Sequence, residues 1–428
     1  MKLDLTRPDL AINGGEPVRT QPWDDNFTTG EEEKKAVIEV LNSGYLSKFE
    51  GSYTPDPPFS FFGGPQVQAL EREWCDYYEC RNAVSMNSAT SGLFAAIGAL
   101  GLGFGDEVIV SPYTMTACAL APLIYGAIPV FADVEEATGC LDPESIERNI
   151  SNRTRAILVV HQFGIPAEMS QIIKIAEKYD LRVIEDCAQA HGARYRGAFV
   201  GSFGDIGVFS LNVNKSIQSG EGAVCVTADA DLAYRLALIR NHGEAVVGPA
   251  GIEDITNIGG FNYRLTEIQA AIARAQLKKL PKLNAHRVSL VEMLSEKLLN
   301  HPFLLPPEGR DGCEGTYYVY PLRFCPDKID VSRDQFVVAA NKEGAKFYQG
   351  YVQPLYLQPL YQRQQLWKHG YPFSAPENKG HNGRYEKGVC PVAEELHYEK
   401  MIINEHIRWP HSRQDITELA QIIQKVTG

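Results

Sequence analysis

Seven short apolar runs punctuate the chain, at 83–86, 107–110, 128–131, 156–160, 182–185, 207–210 and 223–226. Most are continuous, such as Ala156-Ile157-Leu158-Val159-Val160, and do not alternate apolar with polar. A strand apolar at every position is buried on both faces. The runs therefore predict a mostly parallel seven-stranded sheet covered by helices. Helical spacing fills the gaps; in 169–178, Ile172, Ile173, Ile175 and Ala176 gather on one side of a helix. The pattern is that of a three-layer α/β domain. From about 264 to 300 it turns helical, with Pro281 inside it. Proline removes a backbone donor, which predicts a kink or junction there. Beyond 285 the patterns shorten, with Tyr317-Tyr318-Val319-Tyr320 as a strand and 416–426 as a helix. The division expected is an N-terminal arm at 1–30, a large domain at 31–284 and a small C-terminal α/β domain at 285–428.

Composition narrows the picture. A length of 428 residues suits one large and one small domain. Hydrophobic residues at 44% and charged residues at 22% are ordinary for a globular protein. A net charge of −12 argues against nucleic acid as a partner. No apolar stretch of about 18 residues predicts a membrane span. The first residues, Met1-Lys2-Leu3-Asp4-Leu5, lack the apolar core of a signal peptide. Nine cysteines without a Cys-x-x-Cys pair read as reduced thiols in a cytoplasm. The ten histidines show no ligand spacing, so no metal is expected.

The candidate chemistry lies at the ends of the predicted strands. Asn87-Ser88-Ala89-Thr90-Ser91-Gly92 follows the first strand and opens a helix. Amides at a helix N-terminus suit a phosphate, although a plain Ser/Thr cap uses the same residues. Asp186 ends the 182–185 run, where it is either a helix cap or a group facing the ligand crevice of a parallel sheet. Gln189 lies one helical turn later. Ser210 ends the next run, and Lys215 stands in the polar loop after it. The commonest fate of a lysine is a solvated surface, but a buried one becomes a nucleophile and proton shuttle. An acid and a lysine at adjacent strand ends can meet the two ends of one aromatic cofactor, pyridoxal 5′-phosphate. The lysine would form the Schiff base and the carboxylate would hold the ring nitrogen protonated. Tyr113, after the second run, is either a core tyrosine or a ring-stacking one. Gly101-Leu102-Gly103-Phe104-Gly105 follows a helix and lacks the last glycine of a dinucleotide fingerprint, so it reads as a turn. That disfavours an NAD-dependent oxidoreductase.

Many ordered segments resemble the DegT/StrS-type sugar aminotransferases. They run from Gly105-Asp106-Glu107 and Gly126-Ala127-Ile128-Pro129-Val130-Phe131 through Val160-His161-Gln162-Phe163-Gly164, Glu185-Asp186 and Phe209-Ser210. They continue through Lys215 and Gly220-Glu221-Gly222 to Gly260-Phe261-Asn262-Tyr263-Arg264-Leu265 and Cys390-Pro391-Val392-Ala393-Glu394. The resemblance implies the type I, aspartate-aminotransferase-like fold and a pyridoxal-phosphate transaminase. By it Lys215 is the Schiff-base lysine, Asp186 the pyridinium partner and Gln189 the neighbour of the ring hydroxyl. Tyr113 stacks on the ring, while Ser88, Ala89, Thr90 and Ser210 meet the phosphate. Asn262 reaches the phosphate of the other subunit of a homodimer. Ser88-Ala89-Thr90 and Gly220-Glu221-Gly222-Ala223 depart from the family's usual Ser-Gly-Thr and Gly-Glu-Gly-Gly, without removing a reactive group. A family branch with histidine in place of the lysine dehydrates sugars, and Lys215 speaks against it.

The activity implied is amino transfer from L-glutamate or L-glutamine to a keto-sugar, nucleotide-linked, in amino-sugar biosynthesis. The opening Asn13-Gly14-Gly15-Glu16-Pro17-Val18-Arg19 with Trp23 resembles members acting on cyclitols, which makes an inosose the alternative acceptor. A PLP-binding regulator without catalysis is disfavoured by Lys215. Residues 44–65 form a long loop bearing Tyr45, Phe49, Tyr53, Phe59, Phe61 and Phe62 among Pro55, Pro57 and Pro58. Those aromatics are expected either to pack a dimer or to line the acceptor pocket.

Overall fold

The computed structural model describes residues 2–52 and 59–428. Its seven principal strands are β1 (Asn82–Met86), β2 (Glu107–Val110), β3 (Ile128–Phe131), β4 (Thr154–Val160), β5 (Arg182–Asp186), β6 (Ile206–Ser210) and β7 (Ala223–Thr227). They make one sheet in the order β1-β7-β6-β5-β4-β2-β3. Neighbours from β6 to β3 are parallel, whereas β7 runs antiparallel to both β6 and β1. Each predicted run falls within one of these strands. Both faces are buried as the continuous apolar runs require. Val108 and Val110 face one hydrophobic cluster and Ile109 the other, following the pleat.

Helices α1 (Glu31–Ser43), α2 (Pro65–Tyr78), α3 (Ala89–Ala99), α4 (Ala117–Ile124), α5 (Met169–Tyr179) and α6 (Ala230–Arg240) surround the sheet. Gly92 lets α3 lie close: a Cβ there would stand 2.8 Å from Val208 Cγ1 and 3.0 Å from Cys225 Sγ. The Gly101–Gly105 stretch is a turn into β2, with left-handed backbone at both end glycines.

Helix α7 (Glu267–Leu298) runs for 32 residues and carries Pro281 inside it. Proline there removes only its own hydrogen bond to the preceding turn. The flanks are held by packing against α1 and α2, so the helix does not end at the expected junction. The expected boundary at 284/285 therefore falls within a helix shared by both layers. A four-stranded antiparallel sheet follows, in the order β8 (Leu304–Leu305), β9 (Tyr320–Phe324), β11 (Met401–Asn404), β10 (Tyr348–Gln349). β9 begins at Tyr320, not Tyr317, because Tyr317 takes a left-handed turn with φ +47°. Helices α8 (Arg333–Lys342) and α9 (Arg413–Thr427) cover this sheet. The packing crosses the expected division twice. Leu3 of the arm is buried in the small-layer cluster. Leu355, Tyr356, Tyr361, Phe373 and Tyr385 are buried in the large-sheet cluster.

In the 44–65 loop, Phe49 and Phe61 are buried, whereas Tyr45, Phe59 and Phe62 are exposed. The Asn241 amide ties the loop down by donating to the carbonyls of Glu50 and Phe61. Tyr53, Pro55, Pro57 and Pro58 lie outside the described residues.

Trp74 is fully buried, stacked 5.1 Å from Tyr78 and edge-on to Phe209. Trp74→Ala is expected to destabilise the protein by about 3–5 kcal/mol. Trp74→Phe is expected to lose well under half of that, because the Nε1–H it removes has no partner. Urea unfolding with an unchanged slope checks both.

Candidate active site

Strand register gathers the candidate residues. Met86 pairs with Ala223, and Ala223 pairs with Ser210, so β1, β7 and β6 end in one row. Asp186 pairs with Val208 on the next strand over. The residues after β1, β5 and β6 thus share the carboxyl edge of the sheet, where an open α/β sheet binds ligands.

Ser88 caps α3, its Oγ accepting from Ser91 N at 3.1 Å. Ala89 and Thr90 form the first turn, with Thr90 exposed. Ser210, 4% exposed, accepts from Asn212 N. These groups offer hydroxyls and a helix N-terminus to an anion.

Asp186 is 5% exposed and carries two donors. Ala188 N donates to its Oδ1 at 2.9 Å, and the Cys118 thiol donates to its Oδ2 at 3.0 Å. Burial, together with Asp186, keeps Cys118 protonated and able to donate. Beneath Asp186, Glu185 is fully buried and accepts from the amides of Gly201, Phe203 and Gly204. His161 Nδ1 accepts from Ala167 N, so the proton lies on Nε2, which donates to Glu185 at 2.9 Å. His161, Glu185 and Cys187 lie close enough to suggest a cation site. Both imidazole nitrogens and the carboxylate are already engaged, so the cluster serves the loop at 199–205 instead.

Lys215 follows β6. Its Nζ stands 4.3 Å over the Tyr318 ring. Close packing pushes its pKa down from 10.5 to about 8, against the pull of Asp186 and Glu405. Its loop is clamped from two sides: Asn26 of the arm donates to Lys215 O, and Arg287 of α7 donates to Ser216 Oγ. Gln189 is buried, accepts from Phe163 N at 2.8 Å and donates to Tyr351 Oη at 3.2 Å. Tyr113 has no exposed surface and meets Phe163 and Tyr351 edge-on. Met115, two residues on, is 60% exposed one turn before Cys118. Asn262 is exposed and remote in sequence; its carbonyl accepts from the Asn87 amide beside the α3 cap.

The edge accordingly brings together Ser88, Ala89, Thr90, Asp186, Ser210 and Lys215. Sequence reasoning did not single out Cys118, which donates to Asp186, Tyr318, under the Lys215 amine, Tyr351, beside Gln189, or Arg287, on Ser216. Of these only Cys118 carries a readable signal, as a residue of the helix after β2.

The amine and carboxylate fit pyridoxal 5′-phosphate on structural grounds. A lysine near neutrality is a usable nucleophile, and a buried carboxylate held by two donors remains ready for a ring N–H. The lowered pKa has a stability consequence. Between pH 8 and 10.5 the unfolded chain binds the Lys215 proton and the folded one does not, so stability rises with pH across that window. Lys215→Met is therefore expected to stabilise the cofactor-free protein by up to about 3 kcal/mol at pH 7. Most of the gain is expected to vanish by pH 10. Urea unfolding at the two pH values checks this, and an equal gain at both would refute it.

The family described as DegT/DnrJ/EryC1/StrS aminotransferase matches residues 58–375. The chain is 34% identical over 428 residues to an L-glutamine:2-deoxy-scyllo-inosose aminotransferase of Micromonospora echinospora, covering 97% of each chain. Among solved structures it resembles DesV of S. venezuelae in complex with a ketimine intermediate. That likeness has 29% identity and a TM-score of 0.76, covering 92% of this chain and 94% of that one. It also resembles DesI in the presence of its TDP-sugar product, with 26% identity and a TM-score of 0.78 over 98% and 97% of the two chains. With its fold, its strand-end lysine and carboxylate and these likenesses, the chain belongs to the DegT/DnrJ/EryC1/StrS aminotransferase family.

Proposed function

We propose that the chain is a pyridoxal-phosphate-dependent aminotransferase that moves the amino group of L-glutamine onto the ketone of a cyclitol. The observation that carries the acceptor is the end-to-end similarity to the glutamine:2-deoxy-scyllo-inosose enzyme, which extends through the arm and the small layer. A nucleotide-linked keto-sugar is the second reading, favoured by the likeness to DesI with its TDP-sugar product.

Bound at the carboxyl edge, the cofactor would supply an electron sink for the carbon that loses and gains the amine. The residues of this chain do the rest. Lys215 would hold the cofactor through its amine and move protons as a base and acid near neutral pH. Asp186, steadied by Cys118 and Ala188 N, keeps the ring nitrogen protonated. Gln189 would meet the ring hydroxyl. Ser88, Ala89, Thr90 and Ser210 would take the phosphate. Exposed Ile38, Leu41, Tyr45, Leu46, Phe59 and Phe62 support a homodimer, with Asn262 contributed across it. Nine cysteines without a disulfide among the described residues, and no helix there long and apolar enough to cross a membrane, support a cytoplasmic enzyme.

Two additions to the loaded protein test this. L-glutamine is expected to bleach the visible cofactor band in a single turnover, and an inosose ketone to restore it. A nucleotide-linked keto-sugar restoring the band in place of the inosose would select the second reading. Lys215→Ala is expected to slow both steps on the order of 10³-fold or more and to abolish borohydride fixation of the cofactor.

A further inference from the structure

Helix α2 ends in a turn that sets two thiols together. Glu79 takes the left-handed conformation, φ +56°, and its amide donates to the Cys75 carbonyl. The Cys80 amide donates to the same carbonyl at 3.2 Å. A helix closed in this way brings the side chain just past its end against one in its last turn. Here the two side chains are Cys80 and Cys75, and the Cys80 thiol hydrogen-bonds the Cys75 sulfur. That bond pushes the Cys75 thiol below its usual pKa, against burial and the charges of Glu71 and Asp76. The same bond and burial push Cys80 up. Both cysteines are half-buried, whereas Cys118, Cys140, Cys187, Cys225 and Cys390 are buried. Cys75 lines a cleft of about 810 Å³ that also holds Arg72, Asp76 and Arg81, all exposed. Glu71 and Arg240 of the same cleft are paired with each other at 2.7 Å, which leaves the cleft's open charge positive.

Thiol–disulfide exchange needs a thiolate that attacks and a second thiol that resolves the mixed disulfide. We propose that Cys75 and Cys80 form such an exchange site, open to small anionic disulfides of the oxidised-glutathione class. The Cys75 thiolate attacks one sulfur of the disulfide, whose S–S bond breaks, and the first glutathione leaves as a thiolate. Cys80 passes its proton to that thiolate and attacks the Cys75 sulfur. A Cys75–Cys80 bond forms, and the second glutathione leaves with the proton that Cys75 had released to water. Two protein thiols are oxidised, and one disulfide is reduced to two thiols. The thiols already touch, so the bond closes within one turn and needs no unwinding of α2. In a reducing compartment the bond is transient, so the site responds to a rise in disulfide concentration. It pins the end of the helix that carries Glu71, Trp74 and Tyr78.

The test uses the native, cofactor-loaded protein, oxidised glutathione and peptide masses. Trypsin cuts after Arg72 and Arg81 and leaves both cysteines in one peptide, 73–81. After exposure to oxidised glutathione and alkylation of the remaining thiols, this peptide is expected to be lighter by two hydrogens and to carry no alkyl group. Dithiothreitol is expected to restore the dithiol. The change is expected before any at Cys313 and Cys325, the other half-buried thiols. Cys80→Ser is expected to stop with glutathione on Cys75. Cys75→Ser is expected to react at Cys80 on the order of tenfold more slowly than Cys75 reacts in Cys80→Ser. A 73–81 peptide that keeps two free thiols after Cys313 has reacted overturns the proposal. So does glutathione that stays on Cys75 in the unaltered protein, which would make it a single reactive thiol. Equal rates in the two variants would remove the distinct roles and overturn it as well. The reading in the unaltered protein depends neither on the variants nor on turnover.

Discussion

The desolvation of one lysine is the constraint on which the site depends. Lys215 reaches the carboxyl edge of the sheet from a loop held by the arm, through Asn26, and by α7, through Arg287. Burial of the amine brings its pKa down to about 8. The nearest compensating charge is Asp186, one strand away and itself buried. Were Asp186 to contact the amine directly, the pair would be stable and inert. An aromatic ring between them would keep both groups active, one at each end of it.

The carboxylate side of the pair is held as firmly as the lysine side. Asp186 ends β5 directly after Glu185, so the two carboxylates point to opposite faces of the strand. Glu185 gathers three amides of the 201–204 turn and the His161 imidazole, which pins the strand end from below. On the other face, Cys118 and Ala188 N fix Asp186. The thiol is a weak donor, so it orients the carboxylate without quenching it.

Much of the sheet was legible in the sequence because most of its strands bury both faces and so read as nearly continuous apolar runs. Strand ends follow from strands, which is why Asp186, Ser210, Lys215 and the Ser88 cap could be placed on one edge without coordinates. The misreadings have physical causes. Pro281 removes one hydrogen bond from a helix held by packing along its length, so it does not divide the chain. The residues between β10 and β11 lack a clear period because they pack onto the large-sheet core through single aromatics such as Tyr356 and Tyr361. Tyr113 was legible only as a core or ring-stacking tyrosine, and Phe163 and Tyr351, whose rings meet it edge-on, come from distant segments. Arg287 lies mid-helix with no strand-end signal, and only tertiary closure brings it to Ser216, beside Lys215.

This difference in origin separates two tasks. The groups suited to the cofactor belong to the large sheet, whose register fixes them relative to one another within a hydrogen-bonded ladder. Tyr318 and Glu405 lie in the turns that flank the smaller sheet's β9 and β11, Tyr351 follows β10, and Arg287 lies on the helix that joins the layers. A change in those turns alters what stands beside the Lys215 amine without disturbing the ladder that sets Asp186 and Ser210. An aminotransferase must seat a charged amino acid and an unlike ketone in turn at the same amine. A fixed edge opposed by separately supported turns meets that demand, because substrate contacts can differ between the two half-reactions while the reacting groups keep their geometry.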